Sequence, residues 1–122
     1  MLFFLYLGGL FFFQLGCIMA ENNKEFLNLA GTGGSNLPDL KSEFSDLAHV
    51  KGTVSMARSQ DPNSGNSQFF ICFQDAPHLN GQYTVWGQVI EGMEFVDMIK
   101  KGDGPNGSVS NPDKIIKMEI SN

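Results

Sequence analysis

The chain is 122 residues long, 42% hydrophobic and acidic overall, with thirteen Asp and Glu against eight Lys and Arg for a net charge of −5. That length suits one domain of modest size with a core of its own. Arg58 is the sole arginine, so a surface that tracks phosphates has little to be built from, and nucleic acid is excluded as an expected partner.

Residues 1–20 carry no charge, and Gln14 is their only strongly polar side chain. Their length is close to the roughly 20 residues that span a bilayer, which fits a membrane or signal segment. A secretory signal would open on a positive region, which is missing, and Gln14-Leu15-Gly16-Cys17 matches a lipid-attachment signal only loosely. A second reading is a core hairpin, because the aromatic-rich runs Leu2–Leu7 and Leu10–Leu15 are separated by Gly8-Gly9, a pair suited to a primed turn. A third is a non-native N-terminus from a misplaced start or a shifted reading frame. Residues 21–30 read as a polar linker, and residues 31–122 as the domain proper.

The Gly-rich turn Gly31-Thr32-Gly33-Gly34-Ser35 runs into Asn36-Leu37-Pro38 and not into a helix, so it lacks the helix N-terminus that phosphate binding needs. From Gly52 onward the pattern is strand, loop, strand, turn, strand, helix, strand. Val54 and Met56 alternate with Thr53, Ser55 and Ala57, and Ser59–Ser67 is dense in Pro, Gly, Asn and Ser, the residues that build loops. Gln68–Phe73 is a short apolar run of the kind found in strands buried on both faces. Asp75-Ala76-Pro77 and Asn80-Gly81 supply turns, and Thr84–Glu91 reads as a strand whose internal glycine suggests a bend or bulge. Gly92–Lys101 is the expected helix: Met93, Val96 and Ile99 fall three apart with Phe95 beside them, two lysines sit in the last turn, and Gly102 stops it. Ile116, Met118 and Ile120 alternate with Lys117 and Glu119 as a final half-buried strand. The fold class is therefore mainly β, with one helix covering an opening of the sheet.

Cys17 and Cys72 lie in different contexts and form no Cys-x-x-Cys pair, so no disulfide framework is expected. Cys72, inside Phe69-Phe70-Ile71-Cys72-Phe73, reads as a small buried filler. His49 and His78 do not combine with it at any zinc spacing, and apolar surroundings raise a thiol's pKa and so disfavour a Cys-His nucleophile. No metal and no cofactor is expected.

One set of motifs goes further than periodicity. Gly52-Thr53-Val54-Ser55-Met56-Ala57-Arg58, Pro62-Asn63-Ser64, Asn66-Ser67-Gln68-Phe69-Phe70-Ile71, Leu79-Asn80-Gly81-Gln82-Tyr83-Thr84, Trp86-Gly87-Gln88-Val89 and Glu91-Gly92-Met93 follow in this order. In order and spacing they resemble the cyclophilin family of peptidyl-prolyl cis-trans isomerases in its bacterial form, from about Gly31 to Ile120. The resemblance implies an antiparallel β-barrel, here incomplete, and binding of proline-containing peptides or unfolded proteins. It also implies catalysis of rotation about the peptide bond before proline.

Carried over by position, Phe70 becomes the floor of a proline pocket and Leu79 one wall. Ala57 and the backbone of Arg58 lie along the peptide, and Gln68 hydrogen-bonds its backbone. His78 stands where many relatives carry a large aromatic at the rim, and Tyr83 where others carry a histidine closing the far side. The family's upstream Phe-His-Arg motif, whose arginine points at the twisting amide, has no counterpart in residues 1–30, and no arginine precedes Arg58. The resemblance thus implies a peptidyl-prolyl isomerase with impaired catalysis and no identified catalytic residue. The alternatives are a proline-peptide binding module without catalysis and a truncated product without stable function. The compartment follows from residues 1–20: membrane-associated or exported if they target the chain, cytoplasmic otherwise.

Overall fold

The computed structural model describes residues 4–7, 10–14, 34–102, 109 and 113. Five strands form one antiparallel sheet: β1 (Phe4–Leu7), β2 (Leu10–Gln14), β3 (Thr53–Met56), β4 (Gln68–Cys72) and β5 (Val85–Gln88). Their spatial order is β1-β2-β4-β3-β5, so the N-terminal strand pair sits beside β4 and leaves β5 at the other edge. The sheet is open, and the only α-helix among the described residues is α1 (Met93–Met98). None of the described helices is long and apolar enough to cross a membrane. The expected linker at 21–30 and the final strand at 116–120 lie outside the described residues.

β3 and β4 are buried on both faces, which explains the near-continuous apolar sequence of β4, while β3 buries the hydroxyls of Thr53 and Ser55 beside Val54. On one face Val54, Phe69 and Ile71 form a cluster joined by Val89, Met93, Val96 and Ile99; on the other, Ala57, Phe70, Cys72, Ala76 and Leu79 form a second. The glycine in the third expected strand does mark an irregularity. Val54 pairs with Gly87 but Ser55 with Val85, so Trp86 is the extra residue of a bulge. It rests edge-on against Phe69, 5.5 Å between ring centroids, while remaining 52% exposed.

The helix is shorter than Gly92–Lys101. Gly92 has φ = 80° and caps the helix from the left-handed region, and Ile99 leaves it with an extended ψ of 137°. Lys100 and Lys101 are therefore outside the helix. The Lys100 amide instead donates to Asp113 Oδ2 at 2.9 Å, and its ammonium lies 3.5 Å from the same carboxylate. Phe95, beside the inward Met93, Val96 and Ile99, is 67% exposed.

The loop from Ser59 to Ser67 is held by its own polar groups. Asn63 N–H donates to Asp61 Oδ1, Ser64 Oγ to the Asp61 carbonyl, and Ser59 N–H to Ser64 Oγ. Asn66 ties it to the preceding segment, accepting from the Ser35 amide and donating to Asp39 Oδ1.

Gly52 opens β3 with φ = 84°, its N–H donating to the Cys72 carbonyl and its own carbonyl accepting from Val89 N–H. A Cβ there would lie 2.6 Å from Gln88 Nε2, the group that donates to the Lys51 carbonyl. Gly52→Ala is accordingly expected to destabilise the fold by more than about 1 kcal/mol, combining left-handed strain with loss of that bond. Urea unfolding measures it, and an unchanged midpoint would mean the backbone relaxes freely at this junction.

Candidate peptide-binding site

The residues singled out from the sequence come from four segments. Gln68 and Phe70 lie on β4, Ala57 and Arg58 follow β3, His78 and Leu79 belong to a 3₁₀ turn (Pro77–Leu79), and Tyr83 precedes β5. β3 and β4 are locked at this end by Ala57 N–H donating to the Gln68 carbonyl at 3.0 Å. Pro77 starts the turn, and Leu79 N–H closes it on the Ala76 carbonyl at 3.0 Å.

Phe70, Leu79, Ala57 and Tyr83 meet in one cluster. The Tyr83 ring stands edge-on to Phe70, with centroids 5.5 Å apart and planes at 84°. Over the outer face of Tyr83 lies the Arg58 guanidinium, 4.6 Å from the ring centroid. That side chain is anchored as well: Nε and Nη2 donate to the Gln82 carbonyl at 3.2 and 2.9 Å, and Nη1 to the Ser59 carbonyl at 2.9 Å. Gln68 is half-buried beside the cluster, and His78 is exposed at its rim, its carbonyl accepting from Gln82 Nε2.

The Phe70 ring has 0% exposure, with Tyr83 against its edge. Leu79 is likewise 7% exposed. Nearby, a cleft of about 120 Å³ runs between Leu40, Phe44, Met56 and Trp86, with Arg58 on its border.

Sequence reasoning missed His49, which it weighed only as a metal ligand or a base for Cys72. It is 1% exposed and stacks on Phe70, centroids 6.1 Å apart and planes at 18°. Nε2 lies 3.0 Å from Ser55 Oγ and Nδ1 3.2 Å from Asn80 Oδ1. Burial holds its pKa below the ordinary 6.5; the Asn80 bond opposes that shift, and His78 adds to it. An unfolded chain therefore takes up a proton at this residue at a higher pH than the folded one does. Stability from neutral His49 is complete above 6.5 and is lost as pH falls toward the lower folded value. Urea unfolding from about pH 7.5 to about pH 5.5 is expected to show a stability slope that His49→Phe reduces; an equal slope in both proteins would place the titrating group elsewhere.

Cys72 is fully buried, and burial, with Asp75 second, pushes its thiol up to about 11. Cys72 in the folded protein is expected to resist iodoacetamide at about pH 8 and to react once unfolded, read by peptide mapping so that Cys17 is scored apart. Rapid labelling of Cys72 under native conditions would contradict this burial.

An antiparallel sheet with an apolar, aromatic-rimmed cluster on one face and a short helix against the other makes this a mainly β domain. The family model "Cyclophilin type peptidyl-prolyl cis-trans isomerase/CLD" matches residues 6–120, and the chain belongs to that family. The match starts well before Gly31, so it includes β2, which the motif-by-motif resemblance did not reach. The chain is 67% identical over 91 residues to a "Probable peptidyl-prolyl cis-trans isomerase" of Brucella abortus, covering 74% of this chain and 46% of that protein. It is 42% identical over 98 residues to the human "Peptidyl-prolyl cis-trans isomerase-like 3", covering 70% and 59%. A crystal structure of a Cryptosporidium parvum cyclophilin type isomerase, in the presence of the dipeptide Ala-Pro, superposes with a TM-score of 0.67 at 26% identity, over 89% of this chain and 67% of that one. The chain thus spans about half the length of the Brucella relative.

Proposed function

We propose that this chain binds proline-containing peptide segments at the face formed by Ala57, Phe70, Leu79 and Tyr83, with Gln68, His78 and the Arg58 backbone flanking them, and that it isomerises them only weakly. The observation that carries the reading is the meeting of Phe70, Leu79, Ala57 and Tyr83 in one cluster from separate segments. Family membership supports it, as does the Ala-Pro dipeptide with which the Cryptosporidium relative was crystallised.

Rotation about the bond before proline faces a barrier of about 18–20 kcal/mol, set by amide resonance. No nucleophile is needed to lower it. The site has to seat the ring, hold the flanking peptide extended and stabilise the twisted amide more than either planar form. The apolar cluster answers the first need, and half-buried Gln68 with the Arg58 backbone the second. For the third, the family relies on an arginine upstream of this region, and Arg58 is a poor substitute because its Nε, Nη1 and Nη2 already donate to backbone carbonyls. Admission of a proline ring to Phe70 requires Tyr83 to swing outward, with Arg58 following it. Binding without catalysis is the second reading, favoured by this anchoring of Arg58.

An amide NMR titration with an Ala-Pro peptide tests the proposal. Shifts are expected at Ala57, Arg58, Gln68, Leu79 and Tyr83. Shifts confined to α1 and the Ser59–Ser67 loop, or none at all, would overturn it.

A further inference from the structure

A fully buried imidazole beside the candidate site, that of His49, has no part in the function proposed above. His49 lies outside every motif that carries the family resemblance, yet it touches three of the segments that build the cluster. Its ring reaches β3 at Ser55, the residue after the 3₁₀ turn at Asn80, and β4 through the face of Phe70. Its backbone is fixed too: His49 N–H donates to Asn80 Oδ1 at 2.8 Å, and its carbonyl accepts from Ala76 N–H at 2.7 Å. We propose that His49 is a positioning residue for the proline pocket, setting the plane of Phe70 with its ring face and the place of Leu79 through Asn80.

Donor and acceptor counts define how it does so. Asn80 Oδ1 accepts from the His49 amide, which identifies it as the amide oxygen, so the ring nitrogen beside it must be a donor: Nδ1 carries the proton. In the neutral ring Nε2 is then an acceptor, and the only hydrogen that can reach it is that of the Ser55 hydroxyl. Ser55 Oγ also donates to the Thr84 carbonyl at 2.8 Å, so in the neutral ring its single hydrogen is divided between that carbonyl and Nε2; the carbonyl accepts from Met56 N–H at 2.9 Å as well. Both ring nitrogens thus have a partner, which fixes the orientation of the ring. A ring held at both nitrogens and stacked within the 4.5–7 Å range of aromatic pairs transmits that orientation to Phe70. Asn80 follows Leu79 directly, so the same bonds fix the turn that carries the pocket wall.

Protonation rearranges this network without breaking it. Nε2–H would donate to Ser55 Oγ, and the hydroxyl would turn to the Thr84 carbonyl. The charged ring would then lie against Phe70, faced by His78 from the turn, with Asp75, Cys72, Tyr83 and Arg58 the other ionisable groups around the cluster.

The inference rests on the proline-binding reading, and its test separates the two. His49→Phe keeps a ring against Phe70 and removes both nitrogen contacts. In the full chain it is expected to shift the Phe70 ring and Leu79 methyl resonances while leaving Val54 and Ile71 methyls on the opposite face in place. It is also expected to weaken Ala-Pro peptide binding roughly tenfold, the scale of one hydrogen bond's net contribution. Ring ¹⁵N shifts of the wild type should report an Nδ1–H tautomer near neutral pH. Wild-type binding with equal affinity and unmoved Phe70 resonances in the variant would overturn the positioning role and leave peptide binding intact. If the wild type binds no peptide, the functional reading fails, and the positioning role is decided by the Phe70 and Leu79 resonances alone. Should His49→Phe not fold, Ser55→Ala removes only the Nε2 partner and is read the same way: shifted Phe70 resonances support the role, and unmoved ones refute it.

Discussion

Phe70→Ala is expected to destabilise the protein by about 3–5 kcal/mol, the range for truncating a large aromatic in a packed core. Phe70 has no exposed surface, and its neighbours cannot easily close over the gap. Tyr83 is tethered through Arg58 to the Gln82 carbonyl, and His49 is held at both ring nitrogens. Small domains have a total stability of about 5–15 kcal/mol, so the variant should be close to unfolding at room temperature. Chemical denaturation measures the loss directly. A cost below about 1 kcal/mol would mean that Phe70 spends its time in an open pocket and the closed cluster is a minor form. Phe70→Leu separates stability from binding: it retains much of the volume, so a folded variant that no longer binds an Ala-Pro peptide would assign the aromatic face to recognition.

The second large effect concerns turnover. Isomerase activity of this chain is expected to fall roughly 10²–10³-fold below that of a family member containing the upstream arginine, the usual consequence of losing one preorganised donor, or about 2.7–4 kcal/mol. Burying the proline ring favours the planar and twisted amides alike, and uniform binding does not raise the rate. Only a donor whose bond strengthens as the amide twists does so, and a lysine lacks the planar fork for it. A protease-coupled assay on an Ala-Pro peptide decides the matter. Activity comparable to such a relative, abolished by Arg58→Ala, would show that the Arg58 side chain leaves the Gln82 carbonyl and performs the chemistry itself.

Much of the sheet was legible because the signals are local. Period-two alternation marked β3, a continuous apolar run marked β4 and a glycine-interrupted run after a turn marked β5, where Gly87 foretold an irregularity that is realised one residue earlier as the Trp86 bulge. The helix was overextended for the same reason. Lysines followed by glycine look like a helix end, but the chain leaves the helix at Ile99, where its next amide finds a carboxylate at position 113. Nothing in the residues near His49 reveals its role, because Ser55, Phe70 and Asn80 are brought to it only by the folded sheet and turn. Membership of one cluster by Phe70 and Leu79 was readable from motif positions; the closure of that cluster by Tyr83 depends on packing between segments, which no local pattern encodes.

The placement of β2 beside β4 also shapes how the protein reaches this state. Gln14 pairs with Gln68 and Leu10 with Cys72, contacts that span more than fifty residues, whereas β3, β4 and β5 lie within a much shorter stretch of chain. Loop-closure entropy favours the shorter loops first. The three later strands should therefore nucleate the sheet, with the N-terminal pair docking last onto the exposed edge of β4, a topology associated with slow folding. During synthesis, Leu10–Gln14 leaves the ribosome long before β4 exists, so its run of three phenylalanines waits with only β1 at its side and its other edge open. That interval is when such a segment is most prone to pair with another nascent chain.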